Sequence, residues 1–446
     1  MKASAGAMFG WWAIVRLGLV QAALGAMVVL TTSTLNRVMV VELALPALLP
    51  GLLVGVHYAL QVLRPRMGFG SDVGGQRTPW IIGGLAVLAL GATGAALATA
   101  WMASAPVAGM AMAVFCFVLI GLGVSAAGTS LLVLLAKRVE QARRAPAATI
   151  VWMMMILGFA VTAGVAGRLL EPYSPQRLVL VMGGVCALAF VIACMALHGL
   201  EGDAPAQETP SQAKPSFRAA LAEVWAEPAA RRFTVFIFVS MLAYSAQDLI
   251  LEPFAGALFD FTPGQSTSLS GLQHGGVLVG MLLVALAGSP WAHQRLGTLR
   301  GWAIGGCLAS ALALAGLAVA AGVGRGWPLA ANVFLLGVAN GAFSIAAIGS
   351  MMRLAAQGKE RREGVRMGLW GAAQAVAFGL GGLLGTAASD LARWWFGSPV
   401  AAYASVFGLE ALAFVVAAVL AARVEPVARG PLQRAPQGGF GSEVMS

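Results

Sequence analysis

Apolar runs long enough to cross a bilayer recur from one end of this chain to the other, and most charges lie between them. A membrane span needs about 20 apolar residues as a helix but only about 9–11 as a barrel strand, so runs of this length specify helices. Composition agrees. The 446 residues are 59% hydrophobic and 10% charged, where a soluble domain carries about 25% charged residues. We read twelve spans, near 16–36, 45–64, 80–102, 108–136, 148–170, 177–198, 233–252, 268–290, 300–322, 328–352, 365–388 and 399–422. The expected fold class is therefore an all-α integral membrane protein with twelve transmembrane helices.

The net charge of +10 sorts by side. An even number of spans puts both termini on one side, and 23 of the 28 Lys and Arg residues then fall there. Arg37, Arg168, Arg177, Arg325 and Arg393 fall on the other. Basic loops stay in the cytoplasm, so both termini are expected to be cytoplasmic. The positive charge reports topology, with some attraction to anionic lipid. No nucleic-acid partner is expected, because no basic surface interleaved with aromatics is present. Cys116, Cys186, Cys194 and Cys307 lie inside spans, without disulfide or metal spacing, and read as small apolar residues. Met1 to Gly10 runs straight into Trp11 and Trp12 and lacks the pattern of a cleavable signal peptide. No GxSxG, HExxH or phosphate loop is found, so no enzyme is expected, nor a metal of the protein's own.

The order of segments suggests a duplicated design. Arg16, at the start of span one, is expected to snorkel to the inner surface. Thr78 is a plausible N-cap for span three, with Pro79 at its first helical position. The stretch from Gly199 to Ser216 is rich in Pro, Glu, Gln and Ser and reads as a mobile linker. After it, Phe217, Leu221, Val224 and Trp225 mark one side of a short surface helix. Arg16 and Arg232 are offset by 216 positions, as are Gly121 and Gly337. The expected domains are 1–198, a linker at 199–231, 232–422, and a disordered cytoplasmic tail at 423–446.

Two polar patches stand out. Thr34 to Leu43 carries Asn36, Arg37 and Glu42, and Gln247 to Pro253 carries Gln247, Asp248 and Glu252. A charge beside hydrocarbon costs about 2.5–3.5 kcal/mol or more unless paired or wetted. Asp248 and Glu252 are four apart and share one helix face. Either these groups do a job together, or each lies in the wet headgroup zone. His57 and Gln61 in span two, His274 in span eight and Glu410 in span twelve are further intramembrane polar groups. Asn340 and Gln374 read as partners in helix–helix hydrogen bonds.

The connection from span two to span three, with Gly68, Asp72, Gly75 and Arg77, resembles the loop signature of the major facilitator superfamily. Val73 stands where that signature usually has Arg, and Gln294 stands for Asp where a second copy would fall. The likeness implies two pseudo-symmetric six-helix bundles, with spans one and seven facing each other over a central cavity. Arg37 would then pair with Asp248 or Glu252 and close the outer side.

The patches themselves are similar to a narrower family. Thr34 to Leu43, and Gln247-Asp248 with Leu251 to Gly256, resemble the span-one and span-seven signatures of the PucC-type bacteriochlorophyll delivery family. Gly128-Thr129-Ser130 fits as well. The resemblance implies an assembly factor for light-harvesting complexes in the intracytoplasmic photosynthetic membrane of a bacterium. Bacteriochlorophyll or a precursor would be the cargo, and antenna apoproteins and pigment-synthesis enzymes the partners. His57, Gln61 and His274 would bind pigment, a neutral imidazole being able to ligate the magnesium of a chlorin, or they are ordinary hydrogen-bonded interior groups. Two other readings stay open. One is a proton-coupled transporter or exporter of a small amphipathic solute, with Glu410 as the deep acid. The other is a scaffold whose cavity is dispensable.

Overall fold

The structure is a computed structural model and describes residues 8–64, 76–140, 143–201, 225–287, 297–357 and 363–424. No strand occurs among them. The helices are α1 (Trp11–Glu42), α2 (Leu48–Ala59), α3 (Thr78–Met102), α4 (Pro106–Arg138), α5 (Arg144–Leu169), α6 (Pro175–Leu197), α7 (Pro228–Phe259), α8 (Pro263–Ala287), α9 (Leu299–Val323), α10 (Leu329–Gln357), α11 (Glu363–Phe396) and α12 (Pro399–Arg423). Eleven of these are long and apolar enough to cross a membrane, and α2, with 12 residues, is the shorter exception. It runs on into a tight turn at Leu60–Leu63. Proline stands in the first turn of α3, α4, α6, α7 and α12, where its missing N–H has no intrahelical partner to lose. Ser174, Thr298 and Ser398 cap α6, α9 and α12 by accepting from the backbone N–H of Arg177, Gly301 and Ala401.

Buried apolar residues form two clusters. One is drawn from α1 to α6 plus Leu249, and the other from α7 to α12 plus Ile156. The 216-residue offset is visible in the packing. A Cβ on Gly121 would meet the His57 carbonyl at 3.0 Å, and one on Gly337 would meet the Gln273 carbonyl at 2.1 Å. His57 and Gln273 are themselves 216 positions apart. The crossing of α4 on α2 therefore recurs as α10 on α8, with glycine letting backbones touch each time.

The two ends of the molecule differ. At the end holding Arg16, Arg138 and Arg366, the hydrogen bonds of these arginines stay within one cluster of helices. Arg16 donates to the carbonyls of Ala196 and His198, Arg138 to that of Glu201 at 2.6 Å, and Arg366 to both carboxylate oxygens of Glu227 at 2.6 and 2.7 Å. At the opposite end the contacts cross between clusters. Thr262 donates to Glu171, and the Asp390 carboxylate accepts from the N–H groups of Ala47 and Leu48 at 3.0 and 2.7 Å. We call these the basic end and the sealed end.

Several expectations change here. Arg16 caps the carbonyl end of α6. Thr78 is not the N-cap of α3 but its first helical residue. The Glu201 carboxylate takes the free N–H groups of Arg77 and Thr78 at 2.7–2.8 Å, as suits an acid at a helix N-terminus. Gly68, Asp72, Gly75, most of the linker at 199–231 with its surface helix, and most of the tail at 423–446 lie outside the described residues.

Candidate functional site

The first polar patch is built into an irregular helix. Within α1, Leu30–Thr34 and Val38–Glu42 are wound as π-helix, with Leu35–Arg37 between them. The run Thr31-Thr32-Ser33 gives a local cause. Thr31 donates to the Val28 carbonyl at 2.7 Å, Thr32 to the same carbonyl at 3.2 Å, and Ser33 to the Val29 carbonyl at 2.7 Å. Such back-bonding competes with the α ladder and bends helices, and π segments recur at functional sites. The wider winding sets Asn36 and Arg37, 1% and 2% exposed, between α1 and α7.

Pro253 lies inside α7. It has no N–H to give to the carbonyl four residues back, which is that of Leu249. Asn36 fills the gap: its Nδ2 donates to the Leu249 oxygen at 2.6 Å. A freed carbonyl in a membrane helix needs such a neighbour. Thr34 and Thr267 share a hydrogen bond of 2.9 Å beside it, joining α1 to α8.

Arg37 does not pair with Asp248 or Glu252. Its guanidinium donates to Glu42 at 2.9 Å and to the Phe261 carbonyl at 2.6 Å, in the turn between α7 and α8. Glu42 is closer along the same helix, and the π winding brings it round within five residues. Gly256 makes the room, since a Cβ there would lie 2.6 Å from Arg37 Nε. Tyr173, in the turn after α5, is half-buried close by. Burial first, and the Glu42 carboxylate second, push its phenol up from the ordinary tyrosine range.

The depth of the acids is also revised. Span seven does not stop near residue 252, because helix continues past Pro253 to Phe259. Asp248 is eleven residues from that end, about 16 Å of helical rise. Gln273 faces it from α8, and Tyr58 from α2. Glu252 is 1% exposed among the hydroxyls of Ser33, Ser266, Thr267 and Ser270.

Both carboxylate oxygens of Glu410, both amide ends of Gln247 and the amide nitrogen of Asn340 have no partner among the described residues. Each unpaired buried polar atom costs about 1–3 kcal/mol, so each calls for a partner or a function. The Asn340 oxygen accepts from Ser310 at 2.8 Å, the helix–helix bond expected of it, and Gln374 reaches only the Met241 sulfur, at 3.9 Å.

The histidines differ. His57 Nε2 stands 3.3 Å from Gln61 Nε2, and its Nδ1 is buried without a partner. His274 Nδ1 is 2.9 Å from the Ser270 carbonyl. A carbonyl can only accept, so Nδ1 carries the proton and Nε2 keeps a free lone pair.

Asn36 and Thr34 thus join the span-one patch to α7 and α8. A family model described as PUCC protein matches residues 34–428. The chain belongs to the PUCC family. A relative from Rhodobacter capsulatus with the name "Bacteriochlorophyll synthase 44.5 kDa chain" is 54% identical over 93% of this chain and 96% of its own. Another from that organism, "Protein PucC", is 30% identical over 92% of this chain and 91% of its own. A solved structure of a bacterial homologue of the human drug peptide transporters is similar in fold, with a TM-score of 0.67 at 15% identity, covering 93% of this chain and 97% of the other. This member of the PUCC family is therefore a multi-pass membrane protein with a transporter fold of the major facilitator kind.

Proposed function

We propose that this chain is a membrane assembly factor for photosynthetic light-harvesting complexes. It binds bacteriochlorophyll or a precursor between its halves and delivers it to antenna apoproteins, with pigment-synthesis enzymes as further partners. The halves are six-helix bundles at 1–198 and 232–422. The basic end with both termini faces the cytoplasm of a photosynthetic bacterial membrane, and the sealed end faces away. One observation carries this reading: the family match spans residues 34–428 and includes a relative whose name places it with bacteriochlorophyll synthesis. The geometry supports it. Cross-half bonds gather at one end, and buried polar atoms of α7 and α12 have no partner among the described residues. Asn36, Arg37 and Glu42, with Gln247, Asp248 and Glu252 behind them, form the outer gate. The test is to purify the protein from a phototroph in mild detergent and record its absorption spectrum and partners. Bound chlorin, or a co-purifying antenna subunit or pigment synthase, is expected; absence of all three overturns the reading.

A transport reading has one specific observation in its favour, Glu410, 5% exposed and unpartnered within a transporter fold. A deletion strain separates the two. Loss of antenna favours assembly, whereas normal antenna with altered tolerance to an amphipathic solute favours transport.

A further inference from the structure

Two aromatic contacts bridge the halves, and they are related by the internal repeat. Tyr58 on α2 meets Phe378 on α11 with ring centroids 5.7 Å apart, and His274 on α8 meets Phe159 on α5 at 5.1 Å. Tyr58 and His274 are 216 positions apart, so they hold the same place in each half. The duplicated chain thus puts a phenol at one seam and an imidazole at the other. The imidazole is edge-on to Phe159, at 85° between ring planes, and the residue is 7% exposed.

What distinguishes His274 is the state of its two nitrogens. Nδ1 is committed as a donor to the Ser270 carbonyl one turn back in the same helix, which fixes both tautomer and ring angle. Metal-binding histidines are oriented in this way, by a carbonyl or carboxylate on the nitrogen that does not ligate. Nε2 is left with a lone pair and has no partner among the described residues. His57 lacks this arrangement, since its Nε2 is already beside the Gln61 amide and its Nδ1 has no acceptor.

We propose that His274 Nε2 is the axial ligand for the magnesium of the chlorin, and that His57 is not. This rests on the reading of the cargo above. The bond would form from the Nε2 lone pair to magnesium and replace the bond to a water or lipid oxygen, which leaves as a neutral ligand. No proton moves, because Nδ1 keeps its own.

The experiment uses the full chain in lipid nanodiscs with two probes, bacteriochlorophyll a and its magnesium-free form. Binding is read by fluorescence, and coordination by the resonance Raman bands that report the axial ligand. The wild type is expected to bind the magnesium pigment with a nitrogen ligand. His274→Gly should lose that signature and bind the magnesium pigment about tenfold or more weakly. Millimolar imidazole should restore both, an effect that a merely structural role for His274 would not produce. His274→Gln, which keeps side-chain bulk, should behave like the glycine variant without rescue. His57→Gly should keep the signature, and the magnesium-free pigment should not distinguish wild type from His274→Gly. If His274→Gly and His274→Gln keep nitrogen ligation, the ligand assignment is wrong while pigment binding stands. If the wild type binds neither probe, the cargo itself is wrong.

Discussion

At the residue scale, Asn36 and Pro253 act as one unit. Proline removes a backbone donor, and the asparagine of the facing helix replaces it at 2.6 Å. Asn36→Ala strands the Leu249 carbonyl, at an expected cost of about 1–3 kcal/mol. In a Pro253→Ala background the helix supplies its own N–H to that carbonyl, and the same asparagine change should cost under about 1 kcal/mol, the remainder appearing as coupling energy in a double-mutant cycle. Thermal unfolding of the four proteins in detergent checks this, and additive effects would show that the two residues are independent. The sequence displayed both residues but not their connection, because the acceptor is a backbone oxygen 213 positions away. Arg37 is similar. Its burial suggested an acidic partner across the cavity, yet the nearest acid is five residues along in a helix whose winding propensity does not predict.

At the element scale, the closest packing joins α8 and α10. Added Cβ atoms would meet facing backbone oxygens at 2.3 Å from Gly276, 2.1 Å from Gly280, 2.1 Å from Gly337 and 2.0 Å from Gly341. Lipid gives helices no hydrophobic reason to associate, so this close fit and the dispersion it brings hold the pair together. Gly341→Ala and Gly280→Ala are each expected to destabilise by about 1–3 kcal/mol through overpacking. Gly275→Ala, on the same helix but with nothing within 4 Å, is the control and should change stability little. A denaturant titration in nanodiscs or micelles measures the difference, and equal effects at 275 and 280 would contradict close packing as the cause. Small residues in spans were legible in the sequence. Which glycines touch backbone and which face open space was not, because that depends on rotation of each helix about its axis.

At the scale of the whole molecule, the hydrogen bonds between the halves gather toward the sealed end among the described residues. Glu171 to Thr262, Arg37 to Phe261 and Asp390 to the start of α2 all lie there. A short thiol cross-linker should therefore bridge the two introduced thiols of the double variant Glu171→Cys, Thr262→Cys within the membrane-embedded protein. The yield should fall in the presence of Arg37→Ala, which removes a parallel tie. A yield unchanged by Arg37→Ala would show that Arg37 does not contribute to closure.

Hydropathy by itself determined the kind of elements, because hydrocarbon tolerates no unpaired backbone and a helix pairs its own, and eleven of the helices are long and apolar enough to cross a membrane. The 216-residue repeat was equally open to reading, since duplication leaves arginine and glycine at matching places. Tertiary structure alone decided where the charges point, how far α7 continues beyond Pro253, and which histidine nitrogen is free. Each of those depends on a neighbour distant in sequence: Asn36 on Leu249, Arg37 on Phe261, and His274 on Phe159 across the seam.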